Sequence, residues 1–179
     1  MSEKYYYLGD CKNVIEDWWE VLQKNRGDRA ILKRASCAED VLLTPAFHTL
    51  WNRLPETRKK KPYLLDFGMV AALLARVKVN NSQTEKLFAM QLATPLEGKG
   101  KAPFSEMKFQ QLIKSRSTDE FFIRMNRAIQ MLNCKVNILS LADDILHWCK
   151  EFRHGKETKP LNRLAVQWAE QYYDAYREK

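Results

Sequence analysis

The stretch from Pro62 to Val79, PYLLDFGMVAALLARVKV, constrains the fold of this chain more than any other. Wound at 3.6 residues per turn it is apolar on all sides, interrupted only by Asp66, Arg76 and Lys78. That pattern marks a helix enclosed by a core, not one laid on a surface. Pro62 suits a first helical turn, where its missing N–H would have no partner, and Asn80 and Asn81 can leave the helix by left-handed geometry. A membrane span is a poor fit. The uninterrupted apolar part is shorter than the ~20 residues a bilayer needs, and two cations stand in the last turn.

The rest of the chain can wrap this helix. Asp10 can cap a helix carrying Val14, Ile15, Trp18 and Leu22 on one face. Gly27 ends it and Asp28 opens the next, where Ile31, Leu32 and Ala35 point one way and Arg26, Arg29 and Lys33 the other, with Arg34 at the margin. Ser36 with Glu39 matches a capping box, and Pro45 starts a helix through Phe47, Leu50, Trp51 and Leu54. Ser82 is placed to cap a short helix from Glu85 to Ala93. Beyond the basic, Gly/Lys/Pro-containing stretch 97–104, four more helices are expected. The first buries Phe109, Leu112 and Ile113 and leaves Lys108, Gln111 and Lys114 on the opposite arc. The second, opened by Ser117 and Glu120, leaves Arg124 and Arg127 outside. The third runs through Ile138, Leu141, Ile145, Trp148, Cys149 and Phe152, and the fourth from Pro160 through Leu161, Leu164, Trp168 and Tyr172. No useful segment alternates with period two. The expected fold is therefore all-α, a helical bundle of two small subdomains, 1–96 and 105–179, joined by the linker 97–104.

Chemistry of the catalytic kind is not indicated. Asp143 and Asp144 are adjacent, so a helix points them about 100° apart, a poor start for one metal. His48 falls off its apolar stripe, while His147 and His154 read as surface histidines. No metal, cofactor or enzymatic activity is expected. Cys11, Cys37, Cys134 and Cys149 are far apart and read as small buried hydrophobes. Tyr5, Tyr6 and Tyr7 could stack on bases, but beside a helix start they read as cover for the bundle. The start MSEK lacks a basic segment followed by an apolar one, so a cytoplasmic protein is expected.

What stands out is charge. The formal net charge is +8 and the cations are spread over several helices, which favours a polyanionic partner. Phosphate-backbone contact needs many modest charge pairs along a surface and no single special residue. A stand-alone helical DNA-binding regulator would add a base-reading helix after a tight turn, and a helical adaptor would use its charge only to steer docking. The run Arg58 to Lys61 is left open between a solvated loop and a phosphate contact.

The ordered set GDRAILKRASCAEDVLLTPAFHTLW, SEMKFQQLIKSRSTDEFFIRMNRAI and ILHWCKE resembles the CasB family, the small subunit of the type I-E CRISPR surveillance complex Cascade. The resemblance runs from about Trp18 to Trp148. It implies an all-helical, two-domain, non-catalytic protein present as two copies stacked head to tail, contacting the repeated backbone subunits and the large subunit. Its implied role is to stabilise the R-loop by binding the displaced non-target DNA strand and bracing the guide RNA–target DNA duplex. By position, Lys33 and Arg34 match the basic pair of the first motif, Lys108 and Lys114 the basic residues of the second, and Arg127 an arginine that follows. Lys108 and Lys114 stand where relatives usually carry arginine, which keeps the charge but weakens bidentate contact. The linker departs from the family pattern, and the resemblance assigns no role to Lys99 or Lys101.

Overall fold

The helix Leu64–Leu74 is the element against which the others pack, and every residue from Asp66 to Leu74 is buried. The structure, a computed structural model, describes residues 4–177. Among them are ten α-helices: α1 Lys12–Lys24, α2 Arg26–Arg34, α3 Ala38–Val41, α4 Pro45–Arg53, α5 Leu64–Leu74, α6 Phe88–Ala93, α7 Glu106–Ile113, α8 Thr118–Met131, α9 Ile138–His154 and α10 Leu164–Arg177. The fold is all-α apart from one two-residue parallel bridge, β1 (Val79–Asn80) with β2 (Lys135–Val136).

Helices α2, α3, α4, α8 and α9 lie against α5. Contact with α3 is close enough to require glycine at position 68, because a Cβ there would sit 2.9 Å from the carbonyl oxygen of Ala38. A methyl group in that place forces overpacking, at about 1–3 kcal/mol. The indole N–H groups of Trp18 and Trp19 donate to the carbonyls of Ala46 and Leu74, so both buried rings keep their polar atom satisfied. Helix α6 lies along α10, with Phe88 near Trp168, while Phe109 of α7 stacks 4.0 Å from Tyr172.

The central helix is shorter than expected. Pro62 sits in a 3-10 turn (Lys61–Tyr63), α5 ends at Leu74, and the chain reaches the bridge to β2 instead of leaving through left-handed asparagines. The asparagines act as connectors: Asn80 Oδ1 accepts from Ser82 N and Ile138 N, and Asn81 Oδ1 from Gln91 Nε2.

Several boundaries are corrected in the same way. Asn25, not Asp28, caps α2, because Asn25 Oδ1 accepts from Asp28 N while its amide donates to the Asp28 carboxylate, leaving Gly27 inside the helix. Asp10 lies in a 3-10 turn, Gly9–Cys11, and takes Arg58. Ser36 pairs with Asp40 and not Glu39. Ser82 starts a 3-10 turn, and α6 begins only at Phe88, whose N–H is satisfied by Ser140 Oγ. Pro160 likewise opens a 3-10 turn before α10. Ser117 caps α8 as expected and Ser105 caps α7, each accepting from the backbone N–H three residues on.

Candidate nucleic-acid interface

Helix α2 turns Leu32 into the core and most of its cations outward. Arg29 is the exception. Its guanidinium donates to the carbonyls of Ala75 (3.1 Å) and Val77 (3.0 Å), just past the end of α5, where the backbone has no helical partners left. Arg76 answers from the other side. Buried, it donates to Ala35 O (2.6 Å) at the end of α2 and packs its guanidinium over the Phe122 ring. The two arginines thus clasp α2 to α5, and the stripe read as four cations presents three, Arg26, Lys33 and Arg34, to solvent.

The second group forms where α7 meets α8. Lys108, Arg124 and Arg127 line one groove of about 230 Å³ together with Phe104, Gln111, Gln130 and Met131. Arg124 is half-buried and acts as a brace, donating to Gln111 O (2.8 Å) and Ser115 Oγ (3.2 Å) and reaching Glu120 (3.5 Å). Lys108 and Arg127 stay exposed. Lys114 is exposed but does not line the groove, because it sits past the last turn of α7. Next to the groove, sharing Met131, is a hollow of about 760 Å³ bordered by Lys99, Gly100 and Lys101. Sequence separation hides this adjacency, and only the return of the chain at α8 creates it.

Among the described residues, Arg26, Lys33, Arg34, Lys108, Lys114 and Arg127 have no carboxylate within ion-pair distance. Other cations are consumed internally. Arg58 donates to the carbonyls of Tyr7 (3.0 Å) and Leu8 (3.3 Å) and pairs with Asp10, so the run it belongs to is not simply a solvated loop. Arg153 makes a two-point ion pair with buried Asp66. Burial pushes the Asp66 carboxyl up against the pull of that guanidinium.

A further cluster of titratable groups sits under the N-terminal segment. His147 is buried, not on the surface, because Tyr7 stacks on it at 4.0 Å and its Nε2 lies 3.2 Å from Glu151. Burial lowers its pKa, with Glu151 opposing. Tyr5 is buried with its hydroxyl against Asn137, so these two tyrosines do cover the bundle; Tyr6 is exposed. Asp143 accepts from Leu8 N, and burial pushes the Asp144 carboxyl well up, with the Asp143 charge adding. Among the described residues no group of three or more His, Cys, Asp or Glu could hold a metal ion, and no helix is long and apolar enough to cross a membrane. All four cysteines are free.

A sequence profile described as CRISPR-associated protein Cse2 matches residues 28–173, most of the chain. The chain belongs to this family. Membership makes it a subunit of the multi-subunit CRISPR Cascade complex, as the residue resemblance implied. The Cse2 match takes in every candidate cation except Arg26, which lies two residues before it. Comparison with curated proteins and with solved structures gives no significant match.

Proposed function

We propose that this Cascade subunit stabilises the R-loop by holding nucleic-acid backbone, binding the displaced non-target DNA strand and bracing the guide RNA–target DNA duplex without cleaving either. Two copies stacked head to tail, in contact with the backbone subunits and the large subunit, would extend the cationic surface along the complex. The observation that carries the reading is the groove between α7 and α8, where Lys108 and Arg127 converge with no carboxylate among the described residues within ion-pair distance and Arg124 holds the walls in place. Lys99 and Lys101 lie beside it, and Arg26, Lys33 and Arg34 form a second exposed group on α2.

The energetics suit such a role. Opening a target duplex against a guide exchanges one duplex for another of similar stability, so a modest sum of backbone contacts tips the balance. Each contact releases counterions and is indifferent to sequence. The test is target-DNA binding by complex reconstituted with Lys108→Glu/Arg127→Glu or with Lys33→Glu/Arg34→Glu. Assembly is expected to persist while R-loop formation weakens about tenfold or more for each pair. Wild-type binding by both doubly reversed proteins overturns the proposal.

A further inference from the structure

The aromatic side chains of α8 and α9 stack in a column whose last ring stands in the open. Phe121 is fully buried; Trp148 stacks on it with centroids 4.1 Å apart and planes 6° apart; Phe152, one turn further along α9, stacks on Trp148 at 5.0 Å and 11°. Phe152 is 51% exposed, although its helical spacing places it on the core stripe. A phenyl ring left half in water costs apolar burial, and here the rings beneath it fix its orientation.

Phe152 and Trp148 form the wall shared by two hollows. The larger, about 700 Å³, carries the carboxylates of Glu39 and Asp119 as well as cations. The smaller, about 260 Å³, is floored by apolar groups including Leu164 and Trp168, and its charged residues are Arg116, Lys156 and Glu151. Glu151 is turned inward, accepting from Leu164 N and facing His147, so the two exposed cations define the charge at the mouth. Its volume lies just under the ~300 Å³ at which pockets for drug-sized ligands begin, which suits one planar ring system. Ser115 lines this hollow and accepts from Arg124, which lines the α7–α8 groove, so the two sites meet at that hydrogen bond.

An aromatic face flanked by cations, continuous with a basic groove, has the composition of a single-strand nucleic-acid site: bases stack on the ring and phosphates meet the charges. We propose that Phe152 is a stacking platform for one unpaired base of single-stranded nucleic acid, with Arg116 and Lys156 contacting the phosphates on either side. The proposal rests on the reading that the α7–α8 groove holds a nucleic-acid backbone, and it adds a base-stacking position that charge alone does not require.

The test uses assembled complex and target duplexes carrying 5-iodouracil at successive positions of the displaced strand, irradiated after R-loop formation, with the cross-linked residue mapped by mass spectrometry. A cross-link to residue 152 from one or two adjacent positions is expected. It should be retained in Phe152→Tyr and lost in Phe152→Leu, which keeps an apolar side chain but no ring. Phe152→Leu should also weaken R-loop binding about tenfold, the scale of one base–aromatic stack. Three results overturn the proposal. If binding falls with Lys108→Glu/Arg127→Glu yet no position cross-links to Phe152 and Phe152→Leu binds as wild type, the platform fails and the backbone groove stands. If both variants bind as wild type, both fail. If Phe152→Leu blocks assembly of the complex, the ring meets protein and the platform fails.

Discussion

Helix α2 and the α7–α8 hairpin carry the same sequence signal, basic residues at helical spacing opposite an apolar stripe, yet each uses one arginine differently from its neighbours. In α2, Arg29 closes carbonyls past the end of α5; in the hairpin, Arg124 ties the end of α7 to the start of α8. The cations beside them, Lys33 and Arg34 in one case and Lys108 and Arg127 in the other, are exposed and free of carboxylates among the described residues. A basic stripe is therefore two populations, a brace and a contact surface, and charge counting cannot separate them. The distinction is physical: a guanidinium that finds orphan carbonyls at a helix end satisfies groups that would otherwise lack partners, whereas a surface cation gains little until a polyanion arrives.

The comparison breaks or sharpens through substitutions that treat the two populations alike. Arg29→Ala removes two charge-assisted hydrogen bonds and is expected to cost about 2 kcal/mol, read as a lower Tm in thermal unfolding of the full chain. Arg124→Ala, partly solvated and close to Glu120, is expected to cost about 1 kcal/mol by the same measurement. Asp144→Asn should move Tm the other way, by about 3 °C, the shift of ~1 kcal/mol in a chain of this length. The sign follows from burial: the folded state holds the Asp144 proton more tightly than the unfolded state does. Stability from this group is therefore present below the ordinary carboxylate range and declines as pH rises from about 4 through the raised folded value. The gain in Asp144→Asn should be largest near neutrality and shrink toward pH 4. Lys33→Ala/Arg34→Ala should change stability by less than about 0.5 kcal/mol, since both side chains are exposed and neither is ion-paired among the described residues. A loss there comparable with that of Arg29→Ala would erase the distinction.

The sequence is legible where the chemistry is local. Ser105 and Ser117 cap their helices because a hydroxyl three residues from a backbone N–H is a property of the segment itself. The burial of α5 follows from a run with no polar face. What was hidden depends on residues brought from far away in the chain. Arg29 meets carbonyls 46 and 48 residues ahead, Arg76 and Asp66 looked like blemishes in an apolar run until Ala35 and Arg153 supplied their partners, and His147 is covered by Tyr7 from the other end of the chain. The roles of Asn25 and Asp40 are obscured in the sequence for a smaller reason, since several nearby polar residues compete for each cap. Of the candidate site, spacing identified the outward faces of α2, α7 and α8. It gave no sign that Lys99 and Lys101 border the same region as Lys108 and Arg127, because Met131 joins the two hollows only in the folded chain.

The central claim, that the outward cations of the hairpin meet nucleic-acid phosphates, is tested most directly by the salt dependence of target-DNA binding by assembled complex. Neutralising Lys108 and Arg127 together by Lys108→Ala/Arg127→Ala is expected to flatten the plot of log binding constant against log salt by about two contacts, while Arg29→Ala leaves the slope unchanged. An unaltered slope in Lys108→Ala/Arg127→Ala, with binding reduced equally at every salt concentration or not at all, would contradict it.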